Sequence, residues 1–166
     1  MMKGGAVVVD RIGTGGAGRS GGSGGAVGPR GAATTDTSGE RAIQDVVERF
    51  LLHLGDHQFD AVATLLAPRA LVAVTRLREG QWTNSFQTGD EWLTAMKKNP
   101  NPVTFREPIT NVTVTIDGDH LAYLRADFQV MRDGQAQSKG VDQFTLVREA
   151  SGWKIAVVAY TSLAAR

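Results

Sequence analysis

From Thr110 to Leu163 apolar and polar residues alternate, and Asp-Gly or Ser-Gly pairs cut the alternation into four long stretches. Period-two patterning with such punctuation predicts an antiparallel meander. In the first stretch Val112, Val114 and Ile116 alternate with Asn111, Thr113 and Thr115. In the second, Leu124, Ala126, Phe128 and Val130 oppose Tyr123, Arg125, Asp127 and Gln129. The last two are apolar on both sides: Phe144 and Leu146 against Val141 and Val147, Ile155 and Val157 against Ala156 and Val158. A sheet covered by helices on one face does not need that. A second buried face is therefore expected, most simply against another copy of the chain.

Upstream the period lengthens. Ile43, Val47, Phe50 and Leu54, widened by Val46 and Leu51, form a helical stripe. Thr37-Ser38-Gly39-Glu40 is a capping box that starts it, and Gly55 is the expected left-handed residue that ends it. A shorter helix is predicted from Phe59 to Leu66, stopped by Pro68. A hairpin follows, with Leu71–Leu77 and Trp82–Gln87 flanking Arg78-Glu79-Gly80-Gln81. A second capping box, Thr88-Gly89-Asp90-Glu91, opens a third helix bearing Trp92, Leu93 and Met96, with Lys97 and Lys98 at its negative end. Asn99-Pro100-Asn101-Pro102 ends it, and Val103–Glu107 reads as a short edge strand before Pro108.

Residues 1–39 have no such period. They hold 13 of the 20 glycines, too little apolar surface to offset the entropy of ordering, and are expected to be a disordered leader ahead of a domain spanning 40–166. Gly13-Thr14-Gly15-Gly16-Ala17-Gly18 formally matches a dinucleotide fingerprint, but the glycine-rich run behind it opposes the helix that motif needs. Ala6-Val7-Val8-Val9 is cut short by Asp10 and Arg11, so a working export signal is not expected. The default compartment is the cytoplasm, with export of a differently started form left open.

Charge narrows the partners. The net charge is +1, and the part after residue 39 carries 14 of the 18 basic and 15 of the 17 acidic side chains. That near-neutral domain has no basic footprint for nucleic acid, and no apolar run approaches the roughly 18–20 residues of a membrane span. With no cysteine, thiolate chemistry and disulfides are excluded. His53 and His57 stand four apart, but Gly55 lies between them and no carboxylate cluster completes a metal site. Neither a metal nor another cofactor is expected. Asn111-Val112-Thr113 matches a glycosylation sequon inside a strand.

The order of elements, together with LGDHQFDAVATLLAP at 54–68, GVDQFTLVR at 140–148 and Gly152-Trp153-Lys154-Ile155, resembles the nuclear transport factor 2-like superfamily over about residues 40–163. That superfamily includes SnoaL-like cyclases, ketosteroid isomerases, limonene-epoxide hydrolases and many bacterial proteins without an assigned activity. The resemblance implies an α+β, cystatin-like fold: a cone-shaped roll of three N-terminal helices on a strongly curved, mixed, mostly antiparallel sheet. It does not imply chemistry, because the fold carries enzymes, binders and dimerisation modules alike.

In the isomerases a carboxylate base stands on the first strand, a position that falls near Val74 here. Their oxyanion pair, a tyrosine on the first helix and a protonated acid on the penultimate strand, has no counterpart: helix one lacks tyrosine, and the acid position falls near Thr145, with Asp142 on the other face. Carrying the alignment through, the resemblance implies a concave pocket lined by Phe50, Trp92, Leu124, Ala126, Phe128, Val141, Gln143, Thr145, Val158, Tyr160 and Ser162. Two other states remain open: side chains that fill the cone, and a one-residue register change that exchanges the faces. The convex face would pair two copies through Phe144, Leu146, Ile155 and Val157.

The reading is a dimeric domain that binds a small apolar molecule, or serves as an accessory module, without an acid–base set. The alternative is a SnoaL-like isomerase, cyclase or dehydratase using Tyr160 with Glu107 or Asp142. Glu107 otherwise reads as an edge-strand charge beside Arg106 that discourages strand-to-strand association.

Overall fold

A computed structural model describes residues 37–98 and 103–165. Residues 1–36 of the expected leader, with its glycine motif, lie outside the described residues, as does the Thr37 side chain of the first capping box, while residues 37–39 belong to the first helix. The described elements, all within the unit Thr35–Arg166, run α1 (Thr37–Gly55), α2 (Phe59–Leu65), β1 (Leu66–Arg78), β2 (Gln81–Thr88), α3 (Gly89–Lys98), β3 (Ile109–Asp117), β4 (Leu121–Arg132), β5 (Gln135–Glu149) and β6 (Gly152–Ala164). One six-stranded sheet has the order β2-β1-β6-β5-β4-β3. Only the β1–β6 pair is parallel. Three helices on this mixed sheet make the expected α+β cone.

The α1 stripe lies against the sheet as its period predicts, and all six of its apolar members are buried. The second capping box forms in full. The Thr88 amide and hydroxyl both donate to Glu91 Oε2 at 2.9 Å, and the Glu91 amide donates to Thr88 Oγ1 at 3.2 Å. These bonds hold the Glu91 carboxyl below its usual range.

Cross-strand partners share a face, so the register assigns the two faces. At the closed end, Ile155, Leu146, Ala122 and Ile116 stand in one row. The next row is Val72, Val158, Phe144, Leu124 and Val114. Then comes Val74, Tyr160, Asp142 and Ala126, and toward the open end Arg76 pairs with Ser162 and Gly140 with Phe128. Each row runs across the concave face.

This corrects the expected faces of the last two strands. Phe144, Leu146 and Ile155 are core residues beneath the helices, not members of an outer surface. Val141, Gln143 and Thr145 stand on the outer face instead of in the cone. In β5 the cause is the carried alignment, which set the isomerases' acid position near Thr145 and so turned the odd-numbered set inward, whereas Asp142 and the even-numbered set face the cone. In β6 the cause is a bulge. Thr145 pairs with Val157 and Leu146 with Ile155, so Ala156 is the extra residue and the alternation reverses there. Trp153 and Ile155 point inward on one side of it, Val158, Tyr160 and Ser162 on the other. The double-sided apolar look of β6 is this reversal.

Two further expectations change. Gly55 ends α1, but the left-handed residue of that corner is His57, with φ 58°. Gly55 is needed for close approach, since a Cβ there would collide with the Phe105 carbonyl. The Phe105 amide donates to the Gly55 carbonyl at 3.1 Å. Residues 103–107 make a single bridge, Arg106 with Met131, rather than an edge strand. Trp82 is exposed on β2, whereas Trp92 and Trp153 are buried.

Candidate functional site

A cavity of about 260 Å³ opens between the helices and the concave sheet face. Its apolar wall comes from Phe50, Leu51 and Leu54 of α1, Trp92 and Met96 of α3, Phe105, and Phe128, Val130, Phe144 and Val158 of the sheet. Trp92 stacks on Phe50 with ring centroids 6.1 Å apart, and Phe144 meets Phe50 edge-on at 5.8 Å. The α3 capping box therefore fixes one wall, and the α1 stripe fixes another.

The polar groups come from strands and from the segment before β3. Arg106 is held outward by two backbone bonds to Met131, at 3.0 and 2.7 Å, and by its side chain on Asp56 at 2.6 Å. Glu107, the next residue, turns into the cavity. There its carboxyl is hydrogen-bonded to that of Asp142. Asp142 is only 2% exposed, and its Oδ2 has no hydrogen-bond partner.

Burial pushes the Glu107 carboxyl well above its ordinary range, and the neighbouring Asp142 charge and the shared bond push it further. Burial also raises Asp142, to about 7, while the bond from Glu107 opposes the rise. Glu107 thus holds the proton and donates it, and Asp142 is the member that ionises first. Glu107 also lines an outer groove with Leu51, Leu52 and Met131, so the pair bridges the cavity and solvent.

Beside the pair, Tyr160 is the cross-strand neighbour of Asp142. Arg76 Nη2 donates to the Tyr160 hydroxyl at 3.2 Å, which leaves the phenol proton free for an acceptor in the cavity. Burial raises the Tyr160 phenol against the pull of Arg76. Arg132, at the end of β4, completes the polar lining with Ser138 and Ser162.

Of the pocket residues expected from the sequence, Phe50, Trp92, Phe128, Val158, Tyr160 and Ser162 line the cavity. Leu124 and Ala126 lie on the same face but are packed in the core. Val141, Gln143 and Thr145 are on the other face, for the register reason given above. The acid–base candidates Tyr160, Glu107 and Asp142 converge, although the sequence pattern had set Asp142 outside and Glu107 on an edge. Arg76 and Arg132 were missed. Both continue an inward period, Arg76 after Val72 and Val74, Arg132 after Phe128 and Val130, and that alternation was the available signal. His53 and His57 stay apart from the site: His53 Nδ1 lies 2.6 Å from Gln58 Oε1, and His57 stacks on Phe59.

An open cone with ionisable groups facing an apolar cavity is the architecture of the nuclear transport factor 2-like superfamily. The SnoaL-like domain family model matches residues 35–159, and the chain belongs to that family. Solved structures agree at the level of fold. An NTF2-like protein with a cystatin-like fold from Novosphingobium aromaticivorans is 17% identical, over 76% of this chain and 83% of that one, with a TM-score of 0.62. A proposed scytalone dehydratase from the same organism is 12% identical, over 76% and 85%, also at 0.62. The beta subunit of a proposed aromatic-ring-hydroxylating dioxygenase, again from that organism, is 15% identical, over 78% and 92%, at 0.63. No curated relative matches the sequence.

Proposed function

We propose that the domain is a SnoaL-like enzyme that binds a small, mainly apolar molecule bearing an oxygen function and moves a proton on it with the Glu107–Asp142 pair. One observation carries this reading: a carboxyl group buried to 2% exposure, beside a second acid in the lining of an apolar cavity, with one oxygen that has no hydrogen-bond partner. A buried charge with an unmet hydrogen-bonding oxygen opposes folding. Perturbed acids facing a cavity are the pattern of acid–base sites. The pocket-only reading expected from the sequence leaves the pair without a role.

In this scheme Asp142 Oδ2 removes a proton from a carbon beside a carbonyl. The electron pair moves onto the carbonyl oxygen, which the Tyr160 hydroxyl holds. Returning the proton to a different carbon isomerises the molecule. If instead a hydroxyl leaves from the next carbon, the Glu107 proton departs with it as water, and the reaction is a dehydration. Fold neighbours described as dehydratases, such as those from N. aromaticivorans and Streptomyces avermitilis, make this a natural chemistry for such a cavity.

The test is exchange of the α-protons of 2-tetralone in D2O near pH 7.5, followed by proton NMR. Wild type should exceed the buffer rate, and Asp142→Asn should remove about 10²–10⁴-fold of the acceleration. A wild-type rate equal to buffer, or an unaffected Asp142→Asn, would overturn the proposal.

We also propose that two copies pair through the outer sheet face, where Val157 alone remains of the four residues expected for that contact. Leu71, Phe86, Tyr123 and Val157 lie there, and the first three are exposed. An apolar sheet face of this kind fits an isologous partner. Sedimentation across a concentration series decides it, and a monomer at the highest soluble concentration would sink it.

A further inference from the structure

Four charged residues line the cavity: Arg76, Glu107, Arg132 and Asp142. The two acids are hydrogen-bonded to each other, although Asp142 Oδ2 keeps no partner. The two guanidinium groups have no such arrangement. Among the described residues neither forms an ion pair with a carboxylate within 4.0 Å. Arg76 donates to a neutral phenol. Arg132 lies over the Phe105 ring at 5.9 Å, and its Nε is buried without a hydrogen-bond partner.

A guanidinium keeps its charge throughout the accessible pH range. Both arginines are half-buried, and a partly desolvated guanidinium without an anion is a ready anion site, the more so where its N–H is orphaned. With the acids sharing one proton, the lining carries two positive charges against one negative. A neutral oxygen can accept from the orphaned donor but leaves the charge unbalanced. A planar carboxylate corrects both, because its two oxygens accept parallel N–H bonds from such forks.

The positions of the two arginines fit this. Arg76 stands one row beyond Tyr160, beside Ser162, at the open end of the concave face. Arg132 ends β4, two positions past Val130 of the wall. Trp92, Met96 and Phe128 supply apolar wall of the same cavity.

We propose that the ligand of this cavity is an apolar monoanion, an aromatic or alicyclic carboxylate, whose charged group is bound by Arg76 and Arg132 at the open end while its ring lies against Trp92 and Phe128. The proposal rests on the cavity being a ligand site, as above, and adds the charge class of the substrate. The anion end anchors the molecule, and the Glu107–Asp142 pair meets its reacting part. Arg76 also orients the Tyr160 hydroxyl, so it serves both ends.

Calorimetric titration of the full chain at pH 6.5 tests it with two isosteric pairs: benzoate against benzyl alcohol, and 1-naphthoate against 1-naphthalenemethanol. At least one acid should bind tenfold or more tightly than its alcohol. Arg132→Gln should lower that acid's affinity about tenfold and leave the alcohol unchanged, which also shows that the variant is folded. Arg76→Gln should weaken the acid similarly. Alcohols binding as tightly as acids, or acid affinity unmoved by both variants, would overturn the anion end while leaving the cavity as a ligand site. If 2-tetralone exchanges its protons but no acid binds, only the charge class fails. If no probe binds and no exchange is seen, both readings fall together.

Discussion

The two ends of the concave face are built from the same strands and are opposite in character. At the closed end Ile155, Leu146 and Ala122 are fully buried beneath Ile43 and Val47. Two rows along, the inward positions hold Asp142 and Tyr160, and one row further Arg76 and Ser162, around open space. One end is closed by side chains that fit each other, and this end supplies the stability. The other keeps ionisable groups in a dry wall, which opposes stability. A chain that needed only to fold would place apolar residues at Asp142 and Arg76. The contrast marks the open end as the candidate site without reference to any relative.

Truncation should separate the ends most strongly. Leu146→Ala removes a fully buried side chain from a filled row and should destabilise by about 2–5 kcal/mol in urea unfolding. Val130→Ala, at the cavity wall, should lose roughly 1 kcal/mol or less, because less packing surrounds it. Equal losses would erase the distinction between the ends.

Next in size, Asp142→Asn should stabilise the protein above neutral pH. Burial pushes the folded carboxyl up to about 7 from an ordinary 3.8, so the folded state binds the extra proton between these values. Stability from this group is fully present below the unfolded value and lost as pH rises through about 7. At pH 8 the gain should be on the order of 3 kcal/mol, shrinking toward zero near pH 4. Thermal unfolding of both forms across pH measures it. A variant that is less stable than wild type at pH 8 would mean that the carboxylate is paired favourably in the fold.

The smallest effect belongs to the outer face. Phe86 is 79% exposed, so Phe86→Ser should leave the unfolding free energy of a dilute sample within about 0.5 kcal/mol. If copies pair as proposed, the same substitution should shift the sedimentation profile toward monomer. No shift in a sample that does associate would move the contact elsewhere.

Some of this was legible in the residues. The stripe from Ile43 to Leu54 is long and periodic, and the Thr88–Glu91 box is a local device closed over three residues. Both therefore form as read, as does the even-numbered inner face of β4. Tyr160 and Glu107 were visible as candidates. The even-numbered set of β5 was misread because the resemblance put the acid position near Thr145, and strand register alone shows that Asp142 takes the inward side. β6 was misread because a bulge at Ala156 has no fixed sequence mark.

The sequence by itself determined the elements, the class of fold and the near-neutral, cysteine-free domain, because capping, period and composition act within a few residues. Only the tertiary structure decided that Glu107 and Asp142 share a proton and that Arg76 and Arg132 face the same space. Those groups come from four separate segments. Their meeting depends on strand register, one bulge, and the outward anchoring of Arg106, which turns its neighbour inward. Burial then sets the protonation of the pair, and burial is a property of the assembled cone rather than of any one stretch of chain.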